Sequence, residues 1–414
     1  MKTSGFFALG CACALFCTVF SSCKDDKLII NGNLTVSEPQ TAEGASVNGN
    51  EVTFEYSGGE IALPLAMVTN APEADVVYTF SVKSNADWCA ASVNDNVLTL
   101  SVEPTAEKTA KTGTVDLAVV CSDETAELTP LTLTVSQNAF SSVFDMVIVK
   151  PGTFRFGEGK NKEDGTMYAQ DYAHDVTLTK GYYIATTVVT QKLYEEIMGK
   201  NPSYSKFVGD NYPVNNMTWS EACEFCNKLS EKEGLTHIYT PGEIITVSDG
   251  WSYMKMQDYL FSPATAGNGY RLPTEAEWEF AAKGGEEGCK NLTIFAGSDI
   301  FDEVGWYDAN SKVGTSYALH EVGQKKPNSL GLYDMSGNVS EWCFDWAYKY
   351  KDELQTTDPA TDPVGAPESR NGGKIIRGGY YSGPEYKGKL WDTNYATGPE
   401  NRSTTGFRVV RYIK

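Results

Sequence analysis

Histidine is nearly absent. The 414 residues contain three, His174, His237 and His320, far apart and in no pattern such as two imidazoles on one helical face. That argues against a histidine-built metal centre, and neither a Ser-His-Asp nor a Cys-His arrangement is suggested. Positive charge is scarce as well: 34 Lys and Arg stand against 54 Asp and Glu, for a formal charge of −20. Such a surface repels phosphate backbones and sulfated polymers, so nucleic acid is not an expected partner. Cysteine is sparse for the length. Of ten, Cys11, Cys13, Cys17 and Cys23 lie at the N-terminus, and Cys89, Cys121, Cys223, Cys226, Cys289 and Cys343 are too few for a disulfide-dependent scaffold of this size. None follows Cys343.

The N-terminus carries the compartment signal. Met1 and Lys2 precede the apolar run GFFALGCACALFCTVF, too short for a comfortable membrane span and placed as a secretory signal. Ser21 and Ser22 before Cys23 resemble a bacterial lipobox, which implies a signal peptide over 1–22, lipidation of Cys23 and a linker over 23–34. The alternative is an ordinary signal with a chance cysteine. Several acyl chains, at ~0.8 kcal/mol per buried methylene, hold a protein far more firmly than one. The Lys-Asp-Asp after Cys23 resembles the export signal of Bacteroidetes surface lipoproteins and implies an outer-membrane lipoprotein exposed on the cell.

Residues 35–139 alternate with period two. Leu98, Leu100 and Val102 share one face, as do Val115, Leu117 and Val119, and Leu131, Leu133 and Val135. Turn residues separate these runs, which predicts an all-β sandwich. The order SNADWCAASVNDNVLTLSVEP, TGTVDLAVV, LTLTVSQNA resembles the BACON-type immunoglobulin-like domain, some members of which are proposed to bind carbohydrate. Trp88 reads as a core anchor and the module as a spacer. Cys89 and Cys121 either pair across the sandwich or remain isolated thiols.

Beyond residue 144 the texture changes to Gly, Trp and short amphipathic helices. Thr190 is a predicted N-cap with Gly199 as the stop, and Thr218 with Glu221 and Thr274 with Glu277 are predicted capping boxes. Glu275, Glu277 and Glu279 look like a catalytic cluster, yet their i, i+2 spacing turns neighbours to different helix faces. Cys223 and Cys226 read as core thiols, since no further metal ligands are announced nearby.

Six segments in order, MVIVKPGTFRFG, PVNNMTWSEACEFCNKLS, YRLPTEAEWEFAAKGG, GLYDMSGNVSEW, IIRGGYY and GFRVVR, resemble the formylglycine-generating enzyme or sulfatase-modifying factor family over 144–414. The resemblance implies an α+β, C-type-lectin-like domain of low regular secondary structure behind the sandwich. Asp334, Gly337, Val339 and Glu341 match one of the family's structural calcium sites, and hard oxygens in a tight loop suit Ca²⁺. The alternative is a plain turn capped by Asp334. A second calcium site is expected within WYDANSKVGTSY.

In catalytic relatives the segment after Arg-Gly-Gly holds two copper-binding cysteines, four and nine residues past the second Gly. Those positions are Gly383 and Gly388 here, and Tyr380 stands where the family has Ser. Glycine offers copper no ligand, so copper is not an expected cofactor. The same stretch carries Tyr380, Tyr381, Tyr386, Trp391, Asn394 and Tyr395, amphipathic rings among small polar groups, the composition of binding surfaces. The reading is a surface lipoprotein with a non-catalytic module for a glycan, peptide or protein ligand. An oxidoreductase with a rearranged metal site and an envelope assembly protein are the alternatives. Cys23→Ala is expected to move the chain out of the membrane fraction on detergent partitioning; unchanged partitioning would contradict lipidation.

Overall fold

A computed structural model describes residues 30–71, 76–160, 167–204, 206–248, 252–261, 267–347, 360–365, 373–400 and 402–413. The signal and Cys23 lie outside the described residues.

The N-terminal half is two sheets facing one core. One runs Glu127–Thr129, Asn31–Val36, Gly59–Thr69, Val97–Val102, Cys89–Asn94, with Thr41–Glu43 added on Gly59–Thr69. The other runs Ala45–Asn48, Glu51–Phe54, Leu131–Gln137, Lys111–Cys121, Tyr78–Ser84. Leu98, Leu100, Val115, Leu117, Leu131, Leu133 and Val135 point into the shared core, and Trp88 packs against it. Alternation thus located the buried faces. The first strand starts at Asn31, inside the stretch expected to be linker, because its backbone pairs with both Gly59–Thr69 and Glu127–Thr129. Cys89 and Cys121 are both free, one in each sheet.

The C-terminal half combines short sheets with helices α1 (Gln191–Met198), α2 (Trp219–Lys232) and α3 (Glu275–Ala282). The caps form as expected: Thr190 accepts from Leu193 N–H, Gly199 is left-handed, and both capping boxes are complete. A four-stranded sheet in the order Asn394–Thr397, Gly373–Arg377, Ser340–Trp346, Thr405–Gly406 carries the C-terminal segment. A second sheet sets Tyr182–Ala185 between Met146–Val149 and Val410–Tyr412.

The halves meet around Arg411. Its guanidinium lies 5.1–5.8 Å from the rings of Tyr56, Phe140, Tyr183 and Tyr270 and donates to the Tyr56 hydroxyl. Tyr183 donates to Thr105 O across the same seam at 3.1 Å. A cation enclosed by rings is attracted by their quadrupoles, about 2 kcal/mol or more once desolvated, so the sandwich and the second domain share a buried seam.

Every residue of α3 is buried, its three glutamates included. Each has a cation. Glu277 receives a bidentate pair from Arg271 at 2.6 Å per bond, while Arg377 donates to Glu275 at 3.0 Å and to Glu279 at 2.9 Å. Glu279 also pairs with Lys283 at 2.7 Å. Spacing of i, i+4 puts Glu275 and Glu279 beside one arginine, so the cluster is structural. Asp345 adds one more buried carboxylate, accepting from Glu275 N–H at 2.8 Å. Burial, with Glu275 nearby, pushes its pKa up to about 8 from the usual 3.8.

A raised carboxyl pKa means that the folded chain keeps a proton the unfolded chain has lost. Its contribution to stability is full below the usual carboxylate range and disappears as pH rises through about 8. Asp345→Asn retains an acceptor without the charge. Between about pH 5 and pH 9 its melting temperature should fall less than that of the parent chain; parallel pH profiles would contradict this assignment.

Candidate functional site

The C-terminal segment is anchored at Arg377. Beyond Glu275 and Glu279, its guanidinium donates to Asp392 O at 3.0 Å and Leu390 O, which ties the far side of the loop to its start. Gly378 and Gly379 follow with φ of +92° and +74°. A Cβ at Gly379 would stand 2.8 Å from the Lys387 carbonyl carbon, so only glycine allows the chain to double back this closely. The turn is sutured to its surroundings by Tyr381 N–H to Asn338 O (2.8 Å), Asp308 N–H to Gly383 O (3.1 Å) and Ser336 Oγ to Gly388 O (2.8 Å).

The two positions that would bear copper thiolates are packed against rings. Gly388 faces Phe301, and a Cβ there would sit 2.3 Å from Phe301 Cζ. Phe301 stacks between Phe295 (4.5 Å, 12°) and Tyr307 (4.4 Å, 15°) and belongs to the core, so it has little freedom to yield. Gly383 is covered by the Tyr380 ring, 3.1 Å from a Cβ built there. Copper does not fit these residues: the thiolates are missing and Phe301 fills the space beside Gly388. The small cavity bordered by Ser340, Gly379, Tyr380, Lys387, Asp392 and Asn394 has about 10 Å³ of room, enough for about one water molecule.

The aromatic surface is smaller than the sequence suggests. Trp391 is 4% exposed and Tyr381 7%. Trp391 packs over Gly159, where a Cβ would meet its ring at 1.8 Å; Tyr381 joins Val188, Leu319 and Val339 in a buried cluster. Both are core residues and not ligand contacts. Composition could not separate them from Tyr386 and Tyr395, which are 53% and 57% exposed. Tyr380 and Asn394 lie between these extremes. Phe301 was missed by sequence reasoning. Phe295, Phe301 and Tyr307 recur every six residues, but Phe301 opens a four-residue helix and the other two lie in no strand, so neither periodicity brings them together and only the fold stacks them.

The expected calcium residues share one tight loop, with Asp334, Gly337 and Asn338 all at positive φ. Gly337 is obligatory, since a Cβ would lie 2.4 Å from Trp306 O. Asp334 is buried. Its Oδ2 accepts from Gly323 N–H at 2.7 Å, and Oδ1 has no hydrogen-bond partner; burial pushes its pKa up to about 6. Such an orphaned oxygen fits a cation. Glu341 differs from expectation, because Arg408 donates to both its oxygens at 2.6 and 2.7 Å and Trp278 Nε1 adds a third bond at 2.8 Å. A carboxylate offers about four lone-pair directions, so Glu341 keeps one for a metal while its charge is balanced by Arg408. Val339 is buried beside it.

Comparison with known proteins agrees with this geometry. Residues 132–413 match the model of the sulfatase-modifying factor enzyme 1-like domain. The chain is 35% identical over 280 residues to "Chaperone protein LppX" of Paenibacillus barcinonensis, spanning 64% of this chain and 89% of that protein. It is 37% identical over 124 residues to the formylglycine-generating enzyme of Streptomyces coelicolor, spanning 27% of this chain and 36% of that enzyme. Among solved structures, Treponema denticola variable protein 1 aligns with a TM-score of 0.47 at 30% identity, over 68% of this chain and 95% of that one. The chain belongs to the sulfatase-modifying factor enzyme 1-like family.

Proposed function

We propose that this chain is a non-catalytic binding protein on a formylglycine-generating-enzyme scaffold, displayed at the outer membrane through lipidated Cys23 and lifted from it by the BACON-like sandwich. The observation that carries the reading is the packing of Gly388 against Phe301 where a copper thiolate would have to sit. No cysteine after Cys343 can substitute, and Cys343 itself is buried, with its pKa raised by burial. Among the described residues no helix is long and apolar enough to cross a membrane. Ligand contacts are assigned to the exposed rings Tyr386 and Tyr395 with Tyr380 and Asn394. The 35% identity to a protein named as a chaperone, across 89% of that protein, favours one further reading, an assembly role in which the ligand is a partner protein.

Purified chain loaded with Cu(I) and reductant should produce no formylglycine from a Cys-x-Pro-x-Arg peptide, read by mass spectrometry. Formylglycine above the enzyme-free control would overturn the proposal. Calcium is assigned to the Asp334 loop through Asp334 Oδ1 and the remaining Glu341 lone pair. A ligand bound only by the native state at ~100 times its Kd stabilises by roughly 2.7 kcal/mol, so chelation should lower the melting temperature and Asp334→Ala should abolish that sensitivity. Identical melting with added calcium and after chelation, with elemental analysis confirming that the chelator removed calcium, would remove the site.

A further inference from the structure

A groove of about 350 Å³ opens between the loop at 206–212 and the hairpin Lys312–Val313 with Ser316–Tyr317. Its size falls within the range of small-ligand sites. Leu319 forms part of the floor, packed with the buried Tyr381 that the C-terminal segment supplies. Phe207 stands edge-on to Tyr381 at 5.5 Å, and Tyr212 and Tyr317 add two rings to a lining of mixed polarity. Tyr317 is 40% exposed and Val313 66%, so the wall is open to solvent. His320 closes one end. Its ring stacks on Trp306 at 3.7 Å, and Nε2 lies 3.1 Å from Ser311 O. Burial pushes its pKa down, and a neutral ring donating through Nε2 keeps Nδ1 as an acceptor.

Local charge at this groove runs against the net charge of the chain. Lys206 lines the groove and Lys312 stands outside the lining, next to Val313; both are exposed, and among the described residues neither forms an ion pair, whereas neighbouring Lys192 and Asp210 pair at 3.3 Å. Each ammonium instead lies near a ring, Lys206 Nζ 5.6 Å from Phe207 and Lys312 Nζ 4.9 Å from Tyr317. In a chain with a net charge of −20, two unpaired cations flanking aromatic faces favour an anion locally that the remaining surface repels. A peptide adding as a strand would need a sheet edge for backbone pairing, and the hairpin strands are two residues each. A pyranose needs no such edge. Its C–H face stacks on a ring, and its hydroxyls suit Ser316 and His320.

We propose that this groove binds a sugar ring bearing a carboxylate, with its apolar face against Tyr317 and its carboxylate toward Lys206, Lys312 adding positive charge beside Tyr317. The assignment rests on the binding role proposed above and narrows its ligand. The test is calorimetric titration of the purified chain with oligogalacturonate, and with maltohexaose as the neutral control. Oligogalacturonate should bind about tenfold or more tightly than maltohexaose, and raising salt from about 0.05 M to 0.5 M should weaken it by screening. Lys206→Ala with Lys312→Ala should cost about tenfold or more, and Tyr317→Ala about tenfold, with melting temperatures unchanged. Equal affinity for the neutral sugar, indifference to the lysine substitutions, or no heat at millimolar oligogalacturonate would overturn the proposal. Tight binding of a peptide through its free C-terminal carboxylate, without sugar binding, would also do so. Each of these failures leaves the non-catalytic reading standing, because that reading falls on formylglycine production or tight Cu(I) binding, neither of which this titration reads.

Discussion

Arg377 is fully buried, and the C-terminal domain is assembled around it. Its guanidinium reaches two carboxylates on α3 and two carbonyls of the returning loop, so one side chain joins helix, strand and loop. Leaving a buried partner uncompensated costs about 3–5 kcal/mol, a large share of ordinary domain stability. Arg408 does the same for Glu341, with further bonds to Ala185 O and Tyr333 O at 2.9 Å each. These arginines replace what extended sheets and long helices provide elsewhere. In a domain of short elements, directional charge-assisted bonds determine where each loop lies.

The frame does not depend on the cysteine pair. Arg377 and the glycine pair after it shape the turn whether or not cysteines follow, and Ser336, Asn338 and Asp308 suture that turn by hydrogen bonds that involve no thiol. Glycine at 388 lets Phe301 complete a three-ring stack, so the space beside this turn is occupied by core. Beyond the turn the groove lined by Lys206, Phe207 and Tyr317 offers the opposite properties: an exposed ring, positive charge and room.

Much of this was legible in the sequence for physical reasons. Period-two runs located the faces of the sandwich, because a strand turns alternate residues to one side. Threonine followed three residues later by glutamate located the starts of α2 and α3, because the cap is made within four residues. What failed was long-range. Nothing near Trp391 announces Gly159, and nothing near Gly388 announces Phe301, so burial of the first and occlusion of the second appear only when distant segments meet. Glu341 likewise looked like a free oxygen ligand until Arg408, 67 residues away, was placed against it.

The most direct test is a Cu(I) competition titration comparing Gly383→Cys/Gly388→Cys with the same pair plus Phe301→Ala. If Phe301 fills the place of the metal thiolate, the cysteine pair alone should bind Cu(I) weakly, and removing the ring should raise affinity by about tenfold or more. Tight Cu(I) binding by the unsubstituted chain, or by the cysteine pair with Phe301 in place, would contradict the account.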